Sequence, residues 1–162
     1  MKNKIIVISV LVLVIAISGC VNSDMENINQ IIPKLNDNIK SGDSNFNLAV
    51  DGLNANKANV AETRVKTAIE KFNNAKINID DMRKNYKNLN NTKYINYIDL
   101  ISEELDYKIN ASLALQSAIR TPSSDKQLFN EYVSYANSWM LKGFYIQDER
   151  NSLVLNNPNL FN

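Results

Sequence analysis

From Ala58 onward the chain repeats an apolar position at alternating steps of three and four: Ala58, Ala61, Val65, Ala68, Phe72, Ala75, Ile79, Met82, Tyr86 and Leu89. A strand would send such residues to opposite faces in turn, whereas an α-helix gathers them into one stripe. The spacing predicts one long, coiled-coil-like helix with a continuous seam. Small alanines alternate with larger Val, Phe and Ile, which suits close packing against another helix of the same chain. A homodimer seam is the alternative use of this surface. Four Gly and three Pro among 162 residues agree with long helices and few turns, since globular chains usually carry roughly 7% and 5%.

The remaining punctuation sets further helices around this one. Asp24 can cap a first helix that turns Ile28, Ile31, Ile32, Leu35 and Ile39 inward. Pro33 should kink or briefly break it, because proline lacks the backbone donor and disfavours the α region at the residue before it. Ser41-Gly42-Asp43-Ser44 is the first expected turn, with Gly42 as C-terminal cap and Ser44 as the next N-cap. Phe46, Val50, Leu53 and Val60 follow a shifted phase, so a bend or restart is expected between Gly52 and Asn59.

Asn90-Asn91-Thr92 is the second turn. A third helix carries Tyr94, Ile98, Ile101, Leu105, Ile109, Ser112 and Ile119 on one side and ends before Thr121-Pro122-Ser123. Ser124 and Gln127 match a capping box for a fourth, with Phe129, Tyr132, Ala136, Trp139, Gly143 and Ile146 inward. Asn156-Asn157-Pro158-Asn159 closes it, and Leu160-Phe161-Asn162 should fray or fold back. Short turns make successive helices antiparallel neighbours. The expected fold class is therefore all-α, an antiparallel helical bundle of about four helices, with 24–162 as a single α-helical domain.

The chain has no His and a single Cys. That excludes Ser/His/Asp and Cys/His nucleophilic machinery, His-containing zinc sites and Glu-x-x-His di-iron sites. No catalytic residue, cofactor or metal ligand is assigned, and the chain is read as a non-enzyme. Asp99, Glu103, Asp106 and Asn110 share a helix face but read as a solvated acidic stripe, since calcium needs a fuller oxygen sphere. Glu62/Lys66, Asp80/Lys84 and Glu104/Lys108 place acid four residues before base, the pattern of surface pairs that support a helix by a few tenths of a kcal/mol, roughly 0.2 to 0.5 each.

Lys2 and Lys4 precede an apolar run from Ile5 to Ile17, interrupted only by Ser9 and followed by Ser18-Gly19-Cys20. A charged start, an apolar stretch shorter than the roughly 20 residues of a membrane span, and small residues at its end describe an export signal. Ile17-Ser18-Gly19-Cys20 resembles the lipobox of prokaryotic membrane lipoproteins. The resemblance covers residues 1–20 and implies that 1–19 is a signal peptide, that Cys20 is lipidated, and that 20–23 is a short tether reaching at most about 14 Å. It places the protein on the extracytoplasmic face of the cell membrane. Loss of Lys2 and Lys4 leaves 16 basic and 17 acidic side chains (18 less 2, against 17), without the basic footprint that nucleic acid requires.

Ala68-Ile69-Glu70-Lys71-Phe72-Asn73-Asn74-Ala75 resembles the second helix of a tetratricopeptide repeat over eight residues, without that family's first-helix pattern or a second copy. The likeness implies peptide binding. Asn90-Asn91-Thr92 and Asn110-Ala111-Ser112 both match the N-glycosylation pattern. Antiparallel helices would gather Tyr86, Tyr94, Tyr97, Phe144 and Tyr145 at one end, as a ligand pocket or as rings closing the core. Tyr97 is the ring expected to be exposed if they form a pocket. The expected function is protein–protein interaction at the cell envelope. The alternatives are a small-molecule-binding or sensory bundle and a divergent tetratricopeptide-like peptide binder.

Overall fold

The computed structural model describes the backbone of residues 23–86 and 91–161, and side chains at 30–84 and 91–161. Four long helices dominate: α1 Ser23–Asn54, α2 Ala58–Tyr86, α3 Thr92–Arg120 and α4 Lys126–Leu155, followed by the single turn α5 Pro158–Phe161. No strand occurs among the described residues, so the chain is an all-α helical bundle. Among these residues no helix is long and apolar enough to cross a membrane.

Ion pairs fix the register of α2 against α3. Arg83 meets Asp99, Lys76 meets Asp106 and Arg120 meets Glu62, so one chain number falls as the other rises and the helices are antiparallel. Asn38 donates to Asn78 and Arg64 to Asn45, giving α1 and α2 the same relation. The helices lie in chain order, α1 beside α2, α2 beside α3 and α3 beside α4, with a slighter approach of α1 to α3. The backbones of α1 and α4 do not come together among the described residues.

The seam of α2 is buried from Ala61 through Val65, Ala68, Phe72, Ala75 and Ile79 to Met82. Ala58 is exposed, and Leu89 and the Tyr86 side chain lie outside the described residues. α1 and α3 cover the seam within the same chain. Ala68→Leu or Ala75→Leu should overpack this contact at a cost of about 1 to 3 kcal/mol. Asn73→Leu, on the exposed side, should leave the urea midpoint nearly unchanged. Equal midpoints for all three would show the seam to be open.

The first turn is not at residues 41–44. α1 continues through Pro33 and Gly42 to Asn54. Pro33 tops the exposed side, where its ring meets solvent, and Gly42 serves packing instead of chain reversal. A Cβ there would stand 2.4 Å from Cε1 of Phe72. The helix ends at Ala55–Lys57, where Asn56 adopts the left-handed conformation (φ 57°). The Asn56 N–H donates to the Leu53 carbonyl and the Lys57 N–H to the Gly52 carbonyl, the paired bonds of a Schellman cap with asparagine in the place usually taken by glycine. The restart expected between Gly52 and Asn59 is therefore the true first turn.

Asn91 caps α3, its side chain accepting from the Lys93 N–H at 3.1 Å. α4 begins one residue later than expected. Asp125, not Ser124, is the N-cap and accepts from the Leu128 N–H at 3.0 Å. A carboxylate at that position also complements the positive end of the helix dipole. The buried stripe of α4 is Val133, Ala136, Met140, Gly143, Gln147, Arg150 and Val154. The expected aromatic stripe Phe129, Tyr132 and Trp139 is only half-buried along its flank, and Ile146 is likewise half-buried. On α3, Ile109 and Ile119 flank the core, whereas Glu104 and Lys108 are inside it.

Candidate functional site

A cluster of charge lies where three helices converge. Asp43 comes from α1, Glu104 and Lys108 from adjacent turns of α3, and Gln147 and Arg150 from α4; all are buried. Room for the Lys108 stem exists because Gly143 faces it, a Cβ there coming within 3.3 Å of the Lys108 Cγ. The Lys108 ammonium donates to Asp43 at 2.9 Å and to the Gln147 side-chain oxygen at 3.3 Å. It also lies 2.8 Å from Glu104. Arg150 Nε reaches the other Glu104 oxygen at 3.3 Å. These Glu104 contacts are electrostatic, because neither carboxylate oxygen receives a well-directed hydrogen bond.

Two acids and two bases cancel formally, which is how buried charge is tolerated. The Phe72 and Phe144 rings lie 6.0 Å and 5.8 Å from the ammonium, so π-faces complete its enclosure. Burial raises Asp43 above its ordinary range, with the Lys108 charge opposing and Glu104 adding to the rise. Burial alone would lower Lys108, but Glu104 and Asp43 outweigh it and hold the ammonium above its usual value.

The expected aromatic cluster only partly assembles. Tyr94 and Tyr97 are buried at the start of α3, and the ring that joins them is Phe161, at centroid distances of 5.1 and 5.2 Å and tilts of 48° and 47°. The Tyr94 hydroxyl donates to the Leu160 carbonyl at 2.7 Å. Burial, with Tyr97 beside it, pushes Tyr94 up to about 12. Tyr97 is also raised by burial, with Arg150 pulling the other way. It is 4% exposed, contrary to its expected exposure in a pocket. Phe144 is elsewhere, beside Lys108. Tyr145 faces solvent at 64%; the antiparallel register leaves both well back from the end of α4. The Tyr86 side chain lies outside the described residues. The segment 160–161 folds back, with Phe161 buried.

The surface readings divide. Asp99, Glu103, Asp106 and Asn110 are exposed, with Asp99 and Asp106 tied to α2 and Glu103 accepting from the Tyr107 hydroxyl at 3.2 Å. Glu62/Lys66 is an ion pair at 3.1 Å. Lys84 meets Asp81 at 2.7 Å instead of Asp80, while Asp80 lies 3.8 Å from Arg83, because three-residue spacing also places side chains together. Glu104/Lys108, expected in solvent, is the centre of the core. Asn110 is exposed, but Ser112 of the same triplet is buried and donates to the Lys108 carbonyl at 2.8 Å. Asn90 and Cys20 lie outside the described residues.

One apolar groove of about 260 Å³ occupies the opposite end of the bundle, lined by Leu53, Ala118, Ile119, Pro122 and Phe129 beside Asp125 and Lys126. The tetratricopeptide-like octapeptide buries Ala68, Phe72 and Ala75. α1 and α2, at 32 and 29 residues, are each nearly as long as one such repeat of about 34. Comparison of the chain with protein-family models, curated proteins and solved structures gives no match.

Proposed function

We propose that the chain is a lipid-anchored, extracytoplasmic helical-bundle protein, non-enzymatic, that binds a protein partner at the cell envelope. The observation that carries the interaction reading is the outward side of α4, where Leu141, Tyr145 and Leu155 are 45%, 64% and 69% exposed. Large apolar side chains along one helix are costly to leave in water and gain when covered. The charged groups inside are engaged with one another, so they are assigned to architecture. Attachment rests on Cys20, the chain's one cysteine, at the end of the Ile5–Ile17 apolar run.

Cys20→Ser should abolish incorporation of labelled fatty acid and leave an unprocessed precursor; normal labelling would overturn the anchor. A photo-crosslinking residue at Tyr145 should capture an envelope protein in intact cells, whereas the same probe at the exposed Asn73 should not. Identical products from both positions would overturn the assignment of this face. The small-molecule alternative has the Leu53–Phe129 groove in its favour. It stands second because that lining is chiefly apolar and its polar groups come from a single turn and the helix start after it.

A further inference from the structure

We propose that Pro158–Phe161 is an intramolecular ligand, and that the Tyr94–Tyr97 pocket beneath it is a docking site for a partner polypeptide segment bearing phenylalanine. This rests on the protein-interaction reading and goes beyond the α4 face by naming a second site and the chemistry it accepts. α5 is a single four-residue turn, too short to be helical by its own backbone bonds, so its contacts hold it in place. Those contacts are the ones a bound peptide makes. One ring enters between two tyrosine rings, and the carbonyl of the residue before it receives the Tyr94 hydroxyl. Lys93 reaches the Asn157 side-chain oxygen at the rim.

The pocket walls are carried by α3 and α4, outside this segment. Tyr94 and Tyr97 project from α3 one turn apart, and the Arg150 guanidinium lies 6.0 Å from the Tyr97 ring, drawn inward by Glu104. Among the described residues α5 packs its backbone on α4 alone, and it is joined to α4 by Asn156 and Asn157. Every peptide has a carbonyl to offer, so selectivity falls on the ring and on a free carbonyl one residue before it. A tethered ligand competes at an effective concentration in the millimolar range for a short connection. It should therefore suppress binding of an external segment until it is displaced.

The probe is a fluorescein-labelled peptide of residues 156–162, titrated by anisotropy into the full chain in mild detergent. Phe161→Ala should bind it at least about tenfold more tightly than the wild type. A probe with its phenylalanine replaced by alanine should bind neither protein. Adding Tyr94→Phe to Phe161→Ala should weaken binding about two- to tenfold, the worth of one hydrogen bond. If Phe161→Ala keeps its helicity but does not bind the probe, or binds both probes alike, the segment merely closes the core and the proposal fails. Should Phe161→Ala lose its fold, Phe161→Leu retains most of the volume and must still show a gain over wild type; no gain overturns the proposal. The pocket thus fails or stands in vitro, separately from the envelope-partner reading, which is decided by crosslinking in cells.

Discussion

Glu104→Leu should destabilise the protein by about 3 to 5 kcal/mol, the loss usual when one member of a buried ionic group is removed. Glu104 is fully buried between the only two cations of the cluster, 2.8 Å from Lys108 and 3.3 Å from Arg150. Without it Lys108 keeps Asp43, but Arg150 remains in the interior with no carboxylate. Since a domain of this size is stable by about 5 to 15 kcal/mol in all, the urea midpoint should fall steeply. Asp43→Asn should cost less, because an amide oxygen can still accept from Lys108 and Glu104 stays in contact with both cations. Replacing Asp43 and Glu104 by Leu together with Lys108 and Arg150 by Met should recover most of the loss, since the desolvation of four charges disappears with them. A Glu104→Leu midpoint equal to wild type would mean that the cluster is not held by charge.

Helix positions were legible from the sequence because periodicity and burial coincide along α2. The interior of α3 and α4 was partly hidden because the seam positions there are polar. Stepping by four and three from Ile98 through Ile101 and Leu105 arrives at Lys108 before Ser112. The same stepping from Val133, Ala136, Met140 and Gly143 arrives at Gln147 and Arg150. The large apolar residues Phe129, Tyr132, Trp139 and Ile146 of α4 lie on the neighbouring phase, which flanks the interface. Strict continuation of the seam would have flagged these polar residues as buried. Acid-before-base spacing alone gives no such warning, since Glu62/Lys66 and Glu104/Lys108 look identical in sequence. Gly42 is ambiguous for a related reason: a helical glycine that admits a ring reads locally like a glycine that ends a helix. The tilted ring cluster of Tyr94, Tyr97 and Phe161 depends on residues about 65 positions apart, beyond any local pattern.

Phe72→Ala should be the other severe substitution, costing about 3 to 5 kcal/mol as a cavity opens among side chains that cannot fully collapse. Phe72 is fully buried at the level of the charge cluster, with its ring 6.0 Å from the Lys108 ammonium and pressed against Gly42. A Cβ on Gly42 would come within 2.4, 2.6 and 2.9 Å of three ring carbons. Gly42→Ala should therefore destabilise the wild type by about 1 to 3 kcal/mol, net of the roughly 1 kcal/mol that alanine gains over glycine within a helix. In a Phe72→Leu background the obstructing ring is gone, and the same change should become neutral or stabilising. Denaturant titration of the two single variants and the double variant measures the coupling directly, expected at about 0.5 to 3 kcal/mol in the compensating direction. An equal effect of Gly42→Ala in both backgrounds would show that α1 can move away from α2 at this point. The close approach would then be set by the backbones' freedom to shift and not by the ring.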